Sequence, residues 1–79
     1  MALRIFLSAT LREFLPNYDP SQGFRLSVSG RPTVGDICDR LAIPRGKVRV
    51  VMVDGKARSM DHPLSGVERI GMFPPLGGG

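Results

Sequence analysis

One segment of this chain has the spacing of an amphipathic helix, and its solitude is the strongest constraint on the fold. Val34, Ile37, Cys38 and Leu41 recur at i, i+3, i+4 and i+7, which puts them on one apolar face. Thr33 stands where a side chain accepts a hydrogen bond from a free N–H of the first turn. Asp36, three residues on, is placed to reach back to the cap. Pro44 is expected to end the helix, because its ring disfavours helical geometry at Ile43. A single helix covers only one face of a sheet, so the chain is expected to form two layers, α+β.

The remaining apolar residues alternate with period two, the signature of strands with one buried face. Leu3, Ile5 and Leu7 mark a first strand, and Phe24, Leu26 and Val28 a second. Between them, Leu11 to Leu15 suggests a helical turn, and residues 16–23, with two prolines, an asparagine and a glycine, a loop. Lys47 to Val53 reads as a third strand. Asp54-Gly55 has the composition of a type I′ hairpin turn, whose two central residues need positive φ. Lys56 to Met60 would be the short returning strand, and 61–66 a loop. Val67 to Phe73 is expected to be the last strand, with Ile70 and Met72 on one face. Gly35 within the helix costs up to about 1 kcal/mol relative to alanine, and a close approach to the sheet is its expected reason. The order of elements matches the ubiquitin-like β-grasp: a mixed sheet of four to five strands, one main helix on one face, first and last strands parallel neighbours. The expected division is a β-grasp domain over residues 1–73 and a flexible tail over 74–79.

At 79 residues a chain buries only about 60% of its unfolded surface, so a single small core is expected. No run of about 18 apolar residues is present, as a membrane-spanning helix needs, and the N-terminal stretch lacks the apolar region of a signal peptide. The single cysteine, Cys38, rules out an internal disulfide. The expected compartment is the cytoplasm, with no membrane partner. The formal charge is +4, but the eleven basic residues are scattered, and only residues 45–49 hold three of them close together. Binders of single-stranded nucleic acid stack bases on exposed aromatic rings. With one tyrosine and no tryptophan, no nucleic-acid partner is expected.

No motif for a metal, a bound nucleotide or a nucleophile–base pair occurs. His62, the only histidine, precedes Pro63 in a loop. Cys38 lies on the apolar helix face, away from the electropositive, exposed setting a reactive thiolate needs. What stands out is the ending Phe73-Pro74-Pro75-Leu76-Gly77-Gly78-Gly79. The diproline gives a stiff, extended exit from the last strand. From Leu76 onward the chain reaches roughly 13–14 Å when extended. Glycines without Cβ thread a narrow channel in any φ the channel imposes. Phe73 and Leu76 are the candidate anchors, and the Gly79 carboxylate is the candidate reacting group.

With these features the chain resembles the MoaD/ThiS sulfur carriers, most closely the small subunit of molybdopterin synthase. Residues 9–14, Ala-Thr-Leu-Arg-Glu-Phe, are similar to that family's motif after the first strand. The stretch from Asp61-His62-Pro63-Leu64 through Met72-Phe73-Pro74-Pro75 to Gly78-Gly79 is similar to its last loop, last strand and tail. Where the family has Gly-Asp-Glu before the last strand, this chain has Gly66-Val67-Glu68-Arg69, so a differently built turn is expected. The resemblance implies a carrier rather than an enzyme, with no permanently bound cofactor. An E1-like adenylyltransferase of the MoeB/ThiF type would use ATP to adenylate Gly79. A sulfur donor protein would then convert it to a thiocarboxylate. Phe73, Pro74, Pro75, Leu76, Gly77 and Gly78 would enter a large subunit of the MoaE type, where the sulfur is given to a pterin in molybdenum or tungsten cofactor synthesis. Alternatives are carriers for thiamine, cysteine or tRNA thiolation, a protein modifier, and a non-catalytic interaction module.

Overall fold

The computed structural model describes residues 2–75. Its strands are β1 (Ala2–Leu7), β2 (Phe24–Ser27), β3 (Val50–Val53), β4 (Lys56–Arg58) and β5 (Arg69–Phe73), with one α-helix, α1 (Val34–Arg40). Short 3-10 helices occupy Ala9–Phe14 and Arg45–Lys47. The sheet order is β2-β1-β5-β3-β4, so the last strand lies at its centre. It runs parallel to β1 (Ile5 opposite Ile70) and antiparallel to β3 (Val53 opposite Ile70). This is the β-grasp arrangement expected from the order of elements. No helix of the described residues is long and apolar enough to cross a membrane.

The core is what the alternation implies. Leu3, Ile5 and Leu7 from β1, Ile70 and Met72 from β5, and Val51 and Val53 from β3 are buried against Val34, Ile37, Cys38 and Leu41 of the helix. No polar or charged residue is buried among the described residues. The helix starts as expected: Thr33 and Asp36 form a complete capping box, with Asp36 N donating to Thr33 Oγ1 at 3.1 Å and Thr33 N to Asp36 Oδ2 at 2.9 Å.

It stops earlier than Pro44 would require, for another reason. Ala42 adopts a φ of 58°, Ile43 N donates to Cys38 O and Ala42 N to Asp39 O. That pair of bonds is a Schellman ending, here with alanine where glycine is commoner. Pro44 follows an end already made. Further boundaries move: β2 stops at Ser27, short of Val28, and β4 at Arg58, short of Met60. Lys47 belongs to a 3-10 turn rather than a strand, and the strand begins at Val50. Val67 and Glu68 precede β5 as loop, for a reason that becomes clear at the site. The hairpin forms as read, with φ of 49° at Asp54 and 86° at Gly55. Gly35 does not meet the sheet: a Cβ there would lie 2.5 Å from the Arg45 guanidinium carbon. Arg45 is held over that turn by a bidentate contact to Asp39, at 2.8 and 3.2 Å.

Candidate functional site

The candidate site is where β5 leaves the sheet. Because β5 is central, hydrogen bonds from both sides fix its end. Ser8 N donates to Met72 O at 3.1 Å, and Arg49 N donates to Phe73 O at 2.8 Å. The chain is therefore held up to its last strand residue. Met72 is fully buried, whereas Phe73 points to the opposite face and is 40% exposed. Pro74 and Pro75 follow and lie between two open clefts. The first, about 770 Å³, is lined by Arg49, Val50, Met52, Phe73, Pro74 and Pro75 on the sheet face opposite the helix. The second, about 710 Å³, lies on the other side of the diproline, bounded by Thr10, Leu11, Glu13, Phe14, Gly46 and Lys47.

Each wall has a local cause. Gly71 has no side chain where Phe6 and Met52 flank it in register, and the Phe73 ring leans over the gap, 3.4 Å from where a Cβ would sit. Phe6 does not share the opening. The Arg69 guanidinium covers its ring at 4.2 Å from the centroid, and Gly23 backs it so closely that a Cβ would lie 2.9 Å from its rim. Residues 9–14 form a 3-10 helix, not a free loop. Leu11 is buried beneath it, and Arg12 Nε donates to Leu7 O at 3.1 Å. The Arg-Glu pair of that motif is thus split: Arg12 ties the segment to β1, and Glu13 borders the second cleft.

The turn before β5 is built around Glu68. Glu68 accepts from the backbone N–H groups of Ser65 (2.8 Å), Gly66 (2.9 Å) and Val67 (3.1 Å). Gly66 supplies the φ of 117° that turns those amides inward. Partial burial by itself pushes the Glu68 carboxyl up, but the donors outweigh it and hold it at about 2. This folded value lies below the ordinary 4.5. The contribution to stability is therefore complete above pH 4.5 and is lost as the pH falls toward 2. Discounted for solvent screening, it is worth about 1–2 kcal/mol. We expect acid unfolding of Glu68→Gln, followed by circular dichroism, to lack most of the loss that the parent chain shows between pH 4.5 and 2. Parallel acid profiles in the two proteins would contradict this.

The candidate residues thus divide. Phe73, Pro74 and Pro75 are together at the mouth of the clefts. Leu76, Gly77, Gly78 and Gly79 lie outside the described residues. Cys38 is buried, and burial pushes its thiol up, which fits a core residue. His62 caps a turn, its N–H on Ser59 O, and its carbonyl accepts from Val34 N. Among the described residues no three of His, Cys, Asp and Glu converge. Reasoning from sequence missed Val50 and Met52 as cleft walls. Their alternation with buried Val51 and Val53 was the signal that could have found them.

A family model for the Mut7-C ubiquitin domain matches residues 2–76. No curated protein matches the sequence. Among solved structures, the chain is similar to SAMP1 from Haloferax volcanii, 22% identical, with a TM-score of 0.70 over 100% of both chains. It is also similar to a putative molybdopterin converting factor, subunit 1, from Pyrococcus furiosus, 17% identical, with a TM-score of 0.70 over 96% of this chain and 99% of that one. A solution structure of another Haloferax volcanii protein is 27% identical, with a TM-score of 0.69 over 100% of this chain and 87% of that one. These likenesses agree with the sheet order and the central parallel β5 seen here, and the match over nearly the whole chain assigns the family: the protein is a member of the Mut7-C ubiquitin family, with a ubiquitin-like β-grasp fold.

Proposed function

We propose that this protein is a ubiquitin-like sulfur carrier whose reacting group is the carboxylate of Gly79. The observation that carries the reading is the exit of β5. The sheet's central strand runs through a fully buried Met72 and opens directly onto Phe73, Pro74 and Pro75 between two clefts, with Leu-Gly-Gly-Gly next in sequence. A rigid base, an apolar mouth and a tail without bulk suit delivery of one group into a partner's active site.

The chemistry would run in three steps. A Gly79 carboxylate oxygen attacks the α-phosphorus of ATP on an E1-like adenylyltransferase, and pyrophosphate leaves. The sulfur of a donor protein's persulfide then attacks the acyl carbon, and AMP leaves. Reduction of the resulting acyl disulfide by a thiol frees the thiocarboxylate. The partners would supply every acid and base group. The acceptor we favour is a pterin held by a large subunit of the MoaE type. Support comes from the Phe-Pro-Pro element and from the shared fold of the Pyrococcus furiosus protein. A carrier in thiamine, cysteine or tRNA thiolation would use the same group.

The likeness to SAMP1 supports a second reading, a modifier joined through Gly79 to lysines of other proteins. Both readings share the activated carboxylate and differ in its acceptor. Intact mass spectrometry of protein from its own cell separates them. Exchange of one oxygen for one sulfur marks a carrier, and a series of larger conjugates marks a modifier. An unmodified tail in every preparation would overturn both.

A further inference from the structure

The open face of the sheet carries an arrangement that the tail does not use. Arg4 on β1 lies directly opposite Arg25 on β2 and directly opposite Arg69 on β5. Leu3, Ile5 and Ile70, beside them in sequence, are buried toward the helix, so all three arginines stand on the far face, exposed. Neighbouring strands are about 4.8 Å apart, and the row spans about 10 Å. Like charges in direct cross-strand register destabilise a sheet. The Phe6 ring beneath Arg69, 4.2 Å away, offsets part of one charge, and no carboxylate of the described residues forms an ion pair with any of the three.

Five of the seven side-chain carboxylates are engaged in hydrogen bonds of their own, and none forms an ion pair with the row. Asp36 closes the helix cap, Asp39 holds Arg45, Asp19 binds Ser21, Asp54 accepts from Arg69 N, and Glu68 collects the loop amides. The one ion pair among the described residues is Arg45–Asp39. The row therefore presents unneutralised positive charge, and it adjoins the apolar cleft of Phe73, Val50 and Met52.

We infer that this face is a docking surface for an acidic protein segment that sets carboxylates along Arg25, Arg4 and Arg69 and an apolar side chain in the cleft. Charge complementarity selects the carboxylates, and guanidinium groups take them as bidentate pairs. The cleft selects a polypeptide over a nucleic acid. Its lining is mostly apolar, with Arg49 the one charged member. Phe6, the ring beside the arginines, is closed off by Arg69 and Gly23, which leaves Phe73 as a lone exposed ring where a run of bases needs several to stack on. The surface works without the tail, whatever reacts at Gly79.

Amide NMR shifts of the full chain test this. The probe is a short synthetic peptide of glutamates ending in leucine, and the comparisons are its lysine counterpart, a uridine oligonucleotide and phosphatidylglycerol vesicles. Shifts are expected at Arg4, Phe6, Arg25, Val50, Arg69 and Phe73 with the glutamate peptide, weakening with salt. Arg4→Glu should lower affinity by about tenfold or more. The same substitution should raise the melting temperature by a few degrees, since it replaces two repulsions with two attractions, which guards against loss of fold as the cause. The chain lacking Gly78 and Gly79 should bind the peptide equally well. Equal binding of the lysine peptide, tighter binding of the oligonucleotide or vesicles, shifts confined to other faces, unchanged affinity in Arg4→Glu, or dependence on Gly78 and Gly79 would overturn the inference.

Discussion

Removal of Gly78 and Gly79 is expected to lower adenylation and sulfur loading by at least about 100-fold while leaving the fold intact. The shortened chain still ends in a glycine carboxylate, so the chemistry of the group is unchanged. Its position is not: two extended residues withdraw it by about 7 Å. A displacement of about 1 Å from productive geometry already costs about 100-fold in rate. Stability should move by less than about 0.5 kcal/mol, because the packed core spans Leu3 to Met72. Pyrophosphate release with the activating enzyme reads the first effect, and thermal unfolding the second. Undiminished turnover, or a collapse in melting temperature, would contradict the division between a folded body and a reacting tail.

The largest loss of stability is expected from Ile70→Ala. Ile70 is fully buried and lies between Ile5 and Val53 in the sheet register. Truncation there leaves a cavity under the helix and costs about 2–5 kcal/mol. A domain of this size has about 4–12 kcal/mol in total, so the melting temperature should fall by roughly 10–30 °C. Val67→Ala, three residues earlier but 63% exposed, should change stability by less than about 0.5 kcal/mol. Similar losses in the two variants would mean that β5 is not the central strand.

The fold was legible because its signals are local and agree with one another. One helical stripe, a Thr-x-x-Asp cap, an Asp-Gly turn and three alternating strands leave few ways to bury one face. The errors arose where a boundary depends on backbone hydrogen bonds with no sequence period. The helix ends after Arg40 because Ala42, a residue other than glycine, takes the left-handed conformation, which propensity argues against. Val67 and Glu68 are apolar and charged in alternation and so mimic a strand, yet Glu68 binds the amides of its own loop. At the site, Phe73 and the diproline were readable as an exit. The clefts beside them were not, because Val50, Met52 and Phe73 meet only through the pairing of β3 with β5. The arginine row has the same origin: Arg4, Arg25 and Arg69 are far apart in sequence and adjacent only in register.

The most direct test of a carrier function is the mass of the intact chain after incubation with ATP, a persulfide donor and the E1-like adenylyltransferase of its own cell. The account predicts exchange of one oxygen for one sulfur, located by fragmentation to Gly79 and absent when ATP is omitted. An unchanged mass under those conditions, or sulfur located at Cys38 instead, would contradict it.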